Sequence, residues 1–308
     1  MASPDGDIWP ALAYADWQDT CGTLHLWTQI VGKIKLALSP LTNHWWGIVL
    51  TVNARGLTTG PMPYRDRVLQ IDFDFCAYEL ILRTSDAREE RIRLAPMPVA
   101  DFYVAVMARL GVLGVELRIR TMPVEIEGAI PFEQDRTHAS YDADAAQAFW
   151  RQLVQADRVF NIFRARFLGK VSPVHFFWGS FDLAVTRFTG RGAPPLTSSK
   201  APNVGLWVMQ EAYSHECASA GFWPGNGGYG RAAFYSYAYP EPEGFGEASV
   251  RPAGAAYNKD LGQFLLDYDA VRTAPSPDDA LLAFMQSTYE AAANRGGWER
   301  KALERQAD

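Results

Sequence analysis

Side chains able to do acid–base or nucleophilic work gather in the second half of the sequence. After His175, the residues Ser180, Asp182 and Thr186 alternate with Phe181, Leu183 and Val185. That alternation puts three small polar groups on one face of a strand, beside Trp178. In an unbroken strand His175 points away from Asp182; an extra residue at Gly179 would bring both to one face. Further on, His215, Cys217 and Ser219 share a face, with Glu216 opposite. Histidine titrates near neutral pH and a carboxylate can exchange protons with a substrate, so His175, Asp182, His215 and Glu216 are the candidate catalytic residues. Trp178, Trp223 and Arg187 are the candidate ligand-gripping residues, Arg187 through its bidentate fork. His138, in the segment joining the halves, is expected to reach the same edge. Cys217 would serve as a nucleophile only with a base on an adjacent strand. The competing reading is structural, with these histidines and small polar groups bonded to backbone inside a core.

Other motifs carry less. Residues 225–230 spell G-x-G-x-x-G, but the aromatic, alternating stretch 231–239 that follows is strand-like, whereas a dinucleotide site needs a helix there. The loop therefore reads as a hairpin or pocket edge. His215-Glu216 has serine at position 219, so the zinc motif H-E-x-x-H is absent. Convergence of His138, His175 and His215 is the metal-binding alternative; without ligand spacing, no metal or other cofactor is expected. Asp72 and Asp74 share a strand face with Arg83, Arg91 and Arg93 on neighbouring strands, which reads as a salt-bridged wet surface.

These residues are set in a chain of 308 residues with net charge −6 and no run of Lys and Arg, which disfavours nucleic acid. Three scattered cysteines suit a reducing compartment, and residues 1–10 are acidic and unlike a signal peptide, so a cytoplasmic protein is expected. No stretch is apolar enough to span a membrane. Aromatic residues are abundant, 10 Trp, 13 Tyr and 17 Phe, and many cluster, as at residues 44–46, 175–178 and 234–237. They fill either a core thick with rings or a ring-lined pocket.

Periodicity places helices over residues 23–38, 98–110, 142–167 and 277–295, with the strongest stripe in the third. Strands are expected at 44–55, 69–75, 79–84, 91–94, 115–120, 175–187, 207–219, 231–239 and 264–268. The fold class is α+β: two similar halves, each an antiparallel sheet packed by helices. The halves are residues 1–122 and 142–308, joined by a linker at 123–141, and the second carries the candidate site. Both run helix, Ser-Pro, aromatic cluster, strand. A slide of 131 or 132 residues matches His44 to His175 or Trp46-Gly47 to Trp178-Gly179, which suggests an internal duplication.

The stretch 172–187 (SPVHFFWGSFDLAVTR), the segments Ser214-His215-Glu216 and 220–225 (AGFWPG), and Asp135-Arg136-Thr137-His138 resemble an uncharacterised bacterial domain-of-unknown-function family over nearly the whole chain. The resemblance implies no activity and assigns no roles. Three functions stay open. The favoured one is an enzyme using a His/carboxylate site in an aromatic-lined pocket on a small molecule. The alternatives are a non-catalytic small-ligand-binding module and a structural or oligomerising protein. A pocket holding a base and a carboxylate favours the first.

Overall fold

The computed structural model describes residues 7–305, so residues 1–6 of the acidic N-terminal stretch lie outside the described residues. The first half contains α1 (Tyr14–Leu38), β1 (Thr51–Asn53), β2 (Gly56–Thr58), β3 (Met62–Tyr64), β4 (Arg67–Asp74), β5 (Glu79–Thr84), β6 (Arg88–Arg93) and α2 (Val99–Val112). The second contains α3 (Ala143–Ala165), β7 (His175–Phe177), β8 (Asp182–Gly192), α4 (Leu206–Ala212), β9 (His215–Trp223), β10 (Ala233–Tyr239), β11 (Ala256–Asn258), β12 (Gln263–Asp267), α5 (Tyr268–Arg272), α6 (Pro277–Arg295) and α7 (Arg300–Leu303).

The fold is α+β. Each half forms a six-stranded sheet, ordered β1-β2-β4-β5-β6 with β3 also on β4, and β11-β12-β10-β9-β8-β7. All the strand pairings are antiparallel. The two sheets meet edge to edge, where Leu50 and Phe176 exchange backbone hydrogen bonds of 3.0 and 2.8 Å. One continuous apolar core runs through both halves. Among the described residues no helix is long and apolar enough to cross a membrane.

Helix α1 is central. Trp27, Ile30, Val31 and Ile34 are fully buried, as their spacing requires, and Trp27 stacks on Phe102 and Tyr141. Its other face is buried too, although it carries His25, Gln29 and Lys33. Helix α3 starts where the sequence places it: Asp142 accepts from the backbone N–H groups of Asp144 and Ala145 at 2.9 and 3.0 Å. Its stripe of Phe149, Leu153, Ala156, Phe160 and Phe163 is buried. On β4, Leu69, Ile71 and Phe73 turn inward, while Asp72 pairs with Arg83 and Asp74 with Arg55.

Three expected strands are absent as drawn. Residues 43–45 form a 3₁₀ turn with His44 at φ 55°, and pairing starts only at β1. His44 is thus not the structural counterpart of His175, which lies in β7. Residues 115–120 are extended but unpaired, and α4 occupies the start of the stretch expected as strand 207–219. The segment 175–187 is a tight hairpin rather than one strand. Its turn has Phe181 in the left-handed region at φ 63°, and no glycine or asparagine there signals it.

The turn depends on one close approach. A β-carbon on Gly32 of α1 would stand 2.3 Å from Trp178 Cγ, and the indole is tied down by its 2.8 Å hydrogen bond to the Ile48 carbonyl. Alanine favours a helix over glycine by at most about 1 kcal/mol, whereas overpacking costs about 1–3 kcal/mol. Gly32→Ala is therefore expected to destabilise the protein and shift its tryptophan emission. Denaturant unfolding followed by fluorescence checks both; unchanged stability would mean that the indole is free to move.

Candidate functional site

Because side chains alternate across β8, β9 and β10, the second sheet has two unlike faces. Leu183, Val185, Phe222 and Phe234 pack into the core beneath α3 and α6. The opposite face carries Asp182, Thr186, Cys217, Ser219, Tyr235 and Tyr237, and these floor a cavity of about 560 Å³. Its walls are Trp45, Trp46, Phe177, Trp178, Phe188 and Trp207. The floor is cross-linked: Thr186 and Ser219 hydroxyls meet at 2.9 Å, as do those of Tyr213 and Tyr237. Ser180 and Tyr235 each donate a hydrogen bond to one oxygen of Asp182.

Helix α4 caps the cavity. The Trp45 indole donates to the Val208 carbonyl at 2.9 Å, and Trp45 meets Trp207 edge-on. His44 Nδ1 lies 2.9 Å from the Ala212 carbonyl and its Nε2 lies 2.6 Å from Lys170 Nζ. Those contacts require a neutral ring with the proton on Nδ1. Burial is the chief cause lowering its pKa, aided by Lys170 and His215. With both nitrogens engaged, His44 anchors the cap and is no free base.

The linker supplies the second carboxylate. Gln29 of α1 accepts from the Val124 N–H at 2.9 Å and donates to the Val124 carbonyl at 2.8 Å. His25 lies 2.8 Å from the Gly179 carbonyl through Nε2. These two buried side chains clamp the linker against the β7–β8 turn. Glu125 follows, held at φ 59°, a strained conformation for a residue with a side chain. Its carboxyl rests on bare backbone, since a β-carbon on Gly179 would come within 2.2 Å of Oε1. Glu125 lines the cavity and is open to solvent there. Enclosure, and then the charge of Asp182, push the Glu125 pKa up to about 7. Burial also raises Asp182, but its bonds from Ser180 and Tyr235 oppose that rise. Two carboxyl groups of raised pKa thus share one cavity, the charge of Asp182 acting on Glu125.

Of the eight candidate catalytic and ligand-gripping residues, Asp182 and Trp178 line the cavity, beside the Ser180, Thr186, Cys217 and Ser219 also noted from sequence. The others stand elsewhere, which corrects the expected convergence. His175 does face the same side of the sheet as Asp182, because it pairs with Ala184 across the hairpin. It is buried against Trp46 and Phe177, and burial, then Lys35 and Arg164, lower its pKa to about 4. His215 bonds Ser214 and stands edge-on to His44. Glu216, on the opposite face, pairs with Arg191. His138 caps a tight turn through Asp135 at 2.7 Å, and the linker reaches the site with Glu125 instead. Trp223 stacks on Tyr229 and bonds Asn226 in the glycine loop, which closes the β9–β10 hairpin as expected. Arg187 lies in the core, its guanidinium 3.5 Å from the Phe163 ring centre and 4.3 Å from that of Tyr289. His138, His175 and His215 do not converge, and among the described residues no three His, Cys, Asp or Glu side chains are grouped to hold a metal ion. Burial raises the Cys217 thiol to about 12, so it is no ready nucleophile.

The model of one protein family matches residues 9–305. The chain belongs to the DUF5996 family, a family of unknown function. Neither a curated protein nor a solved structure matches the chain. Membership in DUF5996 agrees with the resemblance carried by residues 172–187 and 214–225 and assigns no role to any side chain. The chemistry of the cavity must therefore be argued from Glu125, Asp182 and the residues that hold them.

Proposed function

We propose that this protein is an enzyme performing acid–base chemistry on a small molecule enclosed by the cavity. The observation that carries this reading is the carboxyl pair, Glu125 and Asp182, lining one cavity, with burial pushing both pKa values up. A protonated acid and a carboxylate base at one site can give and take a proton in a single turnover. The tryptophan and phenylalanine walls suit an aromatic or otherwise apolar body, and the volume fits a molecule of metabolite size. A ligand that displaces cavity water strengthens the enclosure of Glu125 and raises its pKa further. The cytoplasmic setting rests on three cysteines, Cys21, Cys76 and Cys217, that are all unpaired.

The test uses small-molecule extract incubated with the wild type or with Glu125→Gln, followed by untargeted mass spectrometry. Wild type is expected to consume at least one species that the variant leaves intact. Identical extracts would count against catalysis. A carrier reading is favoured by one observation: both Asp182 oxygens already accept hydrogen bonds. A carrier would yield a molecule that co-purifies and is released unchanged.

A further inference from the structure

We infer that the cavity mouth is a binding site for an anionic group, built by Lys33, Arg118 and Arg120, so that the molecule taken up is an apolar or aromatic acid carrying a carboxylate or phosphate. The inference rests on the cavity reading above and names the substrate class for it.

All three side chains line the cavity. Lys33 lies on α1, one turn beyond the Gln29 that clamps the linker, and is only 5% exposed. Arg118 and Arg120 lie two residues apart in the segment that leads into the linker and are open to solvent. None of the three has an ion-pair partner among the described residues. The ammonium of Lys33 has only the Phe132 ring, 6.0 Å away, as an aromatic neighbour. The Lys33 stem is buried, and its ammonium has no counter-charge beside it. Here the charged neighbour acting on it is Arg120, of the same sign, and burial plus Arg120 pull Lys33 down to about 8. Two like charges held near each other beside a hollow are relieved by an anion between them, and guanidinium groups match carboxylate and phosphate in shape. Some arginines elsewhere are ion-paired, as Arg83 is with Asp72 and Glu89 and Arg300 with Glu290 and Glu304, and others, such as Arg65 and Arg166, are not. Convergence on one cavity is what sets Lys33, Arg118 and Arg120 apart. It places the anionic end of a ligand in reach of solvent and leaves its apolar body to the tryptophan walls.

The test titrates the full chain with 2-naphthoate, 2-naphthyl phosphate and the uncharged 2-naphthamide, reading quenching of the wall tryptophans. Either or both anions are expected to bind at least tenfold more tightly than the amide, and rising salt should weaken only the anions. Lys33→Met, which keeps the apolar bulk, is expected to erase the preference while leaving amide affinity in place. Arg118→Gln with Arg120→Gln, at exposed positions that do not threaten the fold, should reduce anion affinity several-fold. Amide binding equal to that of both anions, or an anion preference that survives both sets of substitutions, would overturn the anion site while leaving the cavity intact. Failure of all three probes to bind would overturn the cavity reading and the anion site together.

Discussion

Asp182→Asn is expected to keep the fold and lose about 100- to 10,000-fold in turnover, the range for removing a proton-transferring group. The asparagine is isosteric, and the Tyr235 and Ser180 hydroxyls can rotate to serve its amide. The cost to stability is expected at about 1–3 kcal/mol, the scale of a perturbed buried hydrogen-bond pair. Charge chemistry would suffer far more. Asp182 is the base of the pair, and its charge is also one of the two causes that hold Glu125 protonated near neutrality. Its removal therefore lowers the Glu125 pKa, so the high-pH limb of a rate–pH profile, where Glu125 loses its proton, moves to lower pH as the rate falls. Rate–pH profiles with the substrate found by extract screening check both. Full turnover with an unshifted profile would remove Asp182 from the chemistry.

The second large effect falls on stability alone. Arg187 was read from sequence as a ligand-gripping residue, but it is completely buried between Phe163, Phe167 and Tyr289. One amino group donates to the Phe163 carbonyl, whereas Nε and Nη1 have no hydrogen-bond partner. Burial pulls even this guanidinium down to about 10. Cation–π contact returns about 2 kcal/mol when desolvated, against the larger cost of burying a charge with two unserved donors. Arg187→Ala leaves a large void under α3 and is expected to lose about 2–5 kcal/mol. Arg187→Met fills most of that volume without the charge and is expected to stay near wild-type stability. Neither should change the affinity of a cavity ligand. Urea unfolding and ligand titration on the two variants decide this. A Met variant as unstable as the Ala variant would show that the charge itself holds the core.

The contrast between Arg187 and Asp182 shows what periodicity can and cannot reveal. Alternation along residues 180–187 correctly sets Asp182 and Thr186 apart from Leu183 and Val185, and Asp182 and Trp178 do line the cavity. The same alternation puts Arg187 on the apolar face, a placement that its charge obscured. Helix α3, with its cap at Asp142 and its phenylalanine stripe, was legible because both signals are local. Glu125 was not, since its role depends on a linker folding back on Gly179 and on a left-handed backbone that no glycine announces. One signal for that region was present in α1. His25, Gln29 and Lys33 recur every four residues on a helix whose other face is dominated by Trp27, Ile30, Val31 and Ile34, so they form a polar stripe along one side. In a helix buried all round, such a stripe must meet polar partners or a cavity. Here it meets both: the first two hold the carboxylate loop and the third points to the mouth.

On this reading Glu125 and Asp182 form a coupled pair in which Glu125 keeps its proton near neutrality. Carbon-13 NMR of the Glu125 carboxyl, assigned by comparison with Glu125→Gln and followed from pH 4 to 9, measures this directly. The expected midpoint is about 7 in the wild type and lower in Asp182→Asn. A wild-type midpoint at the ordinary glutamate value of about 4.3, unmoved by Asp182→Asn, would contradict it.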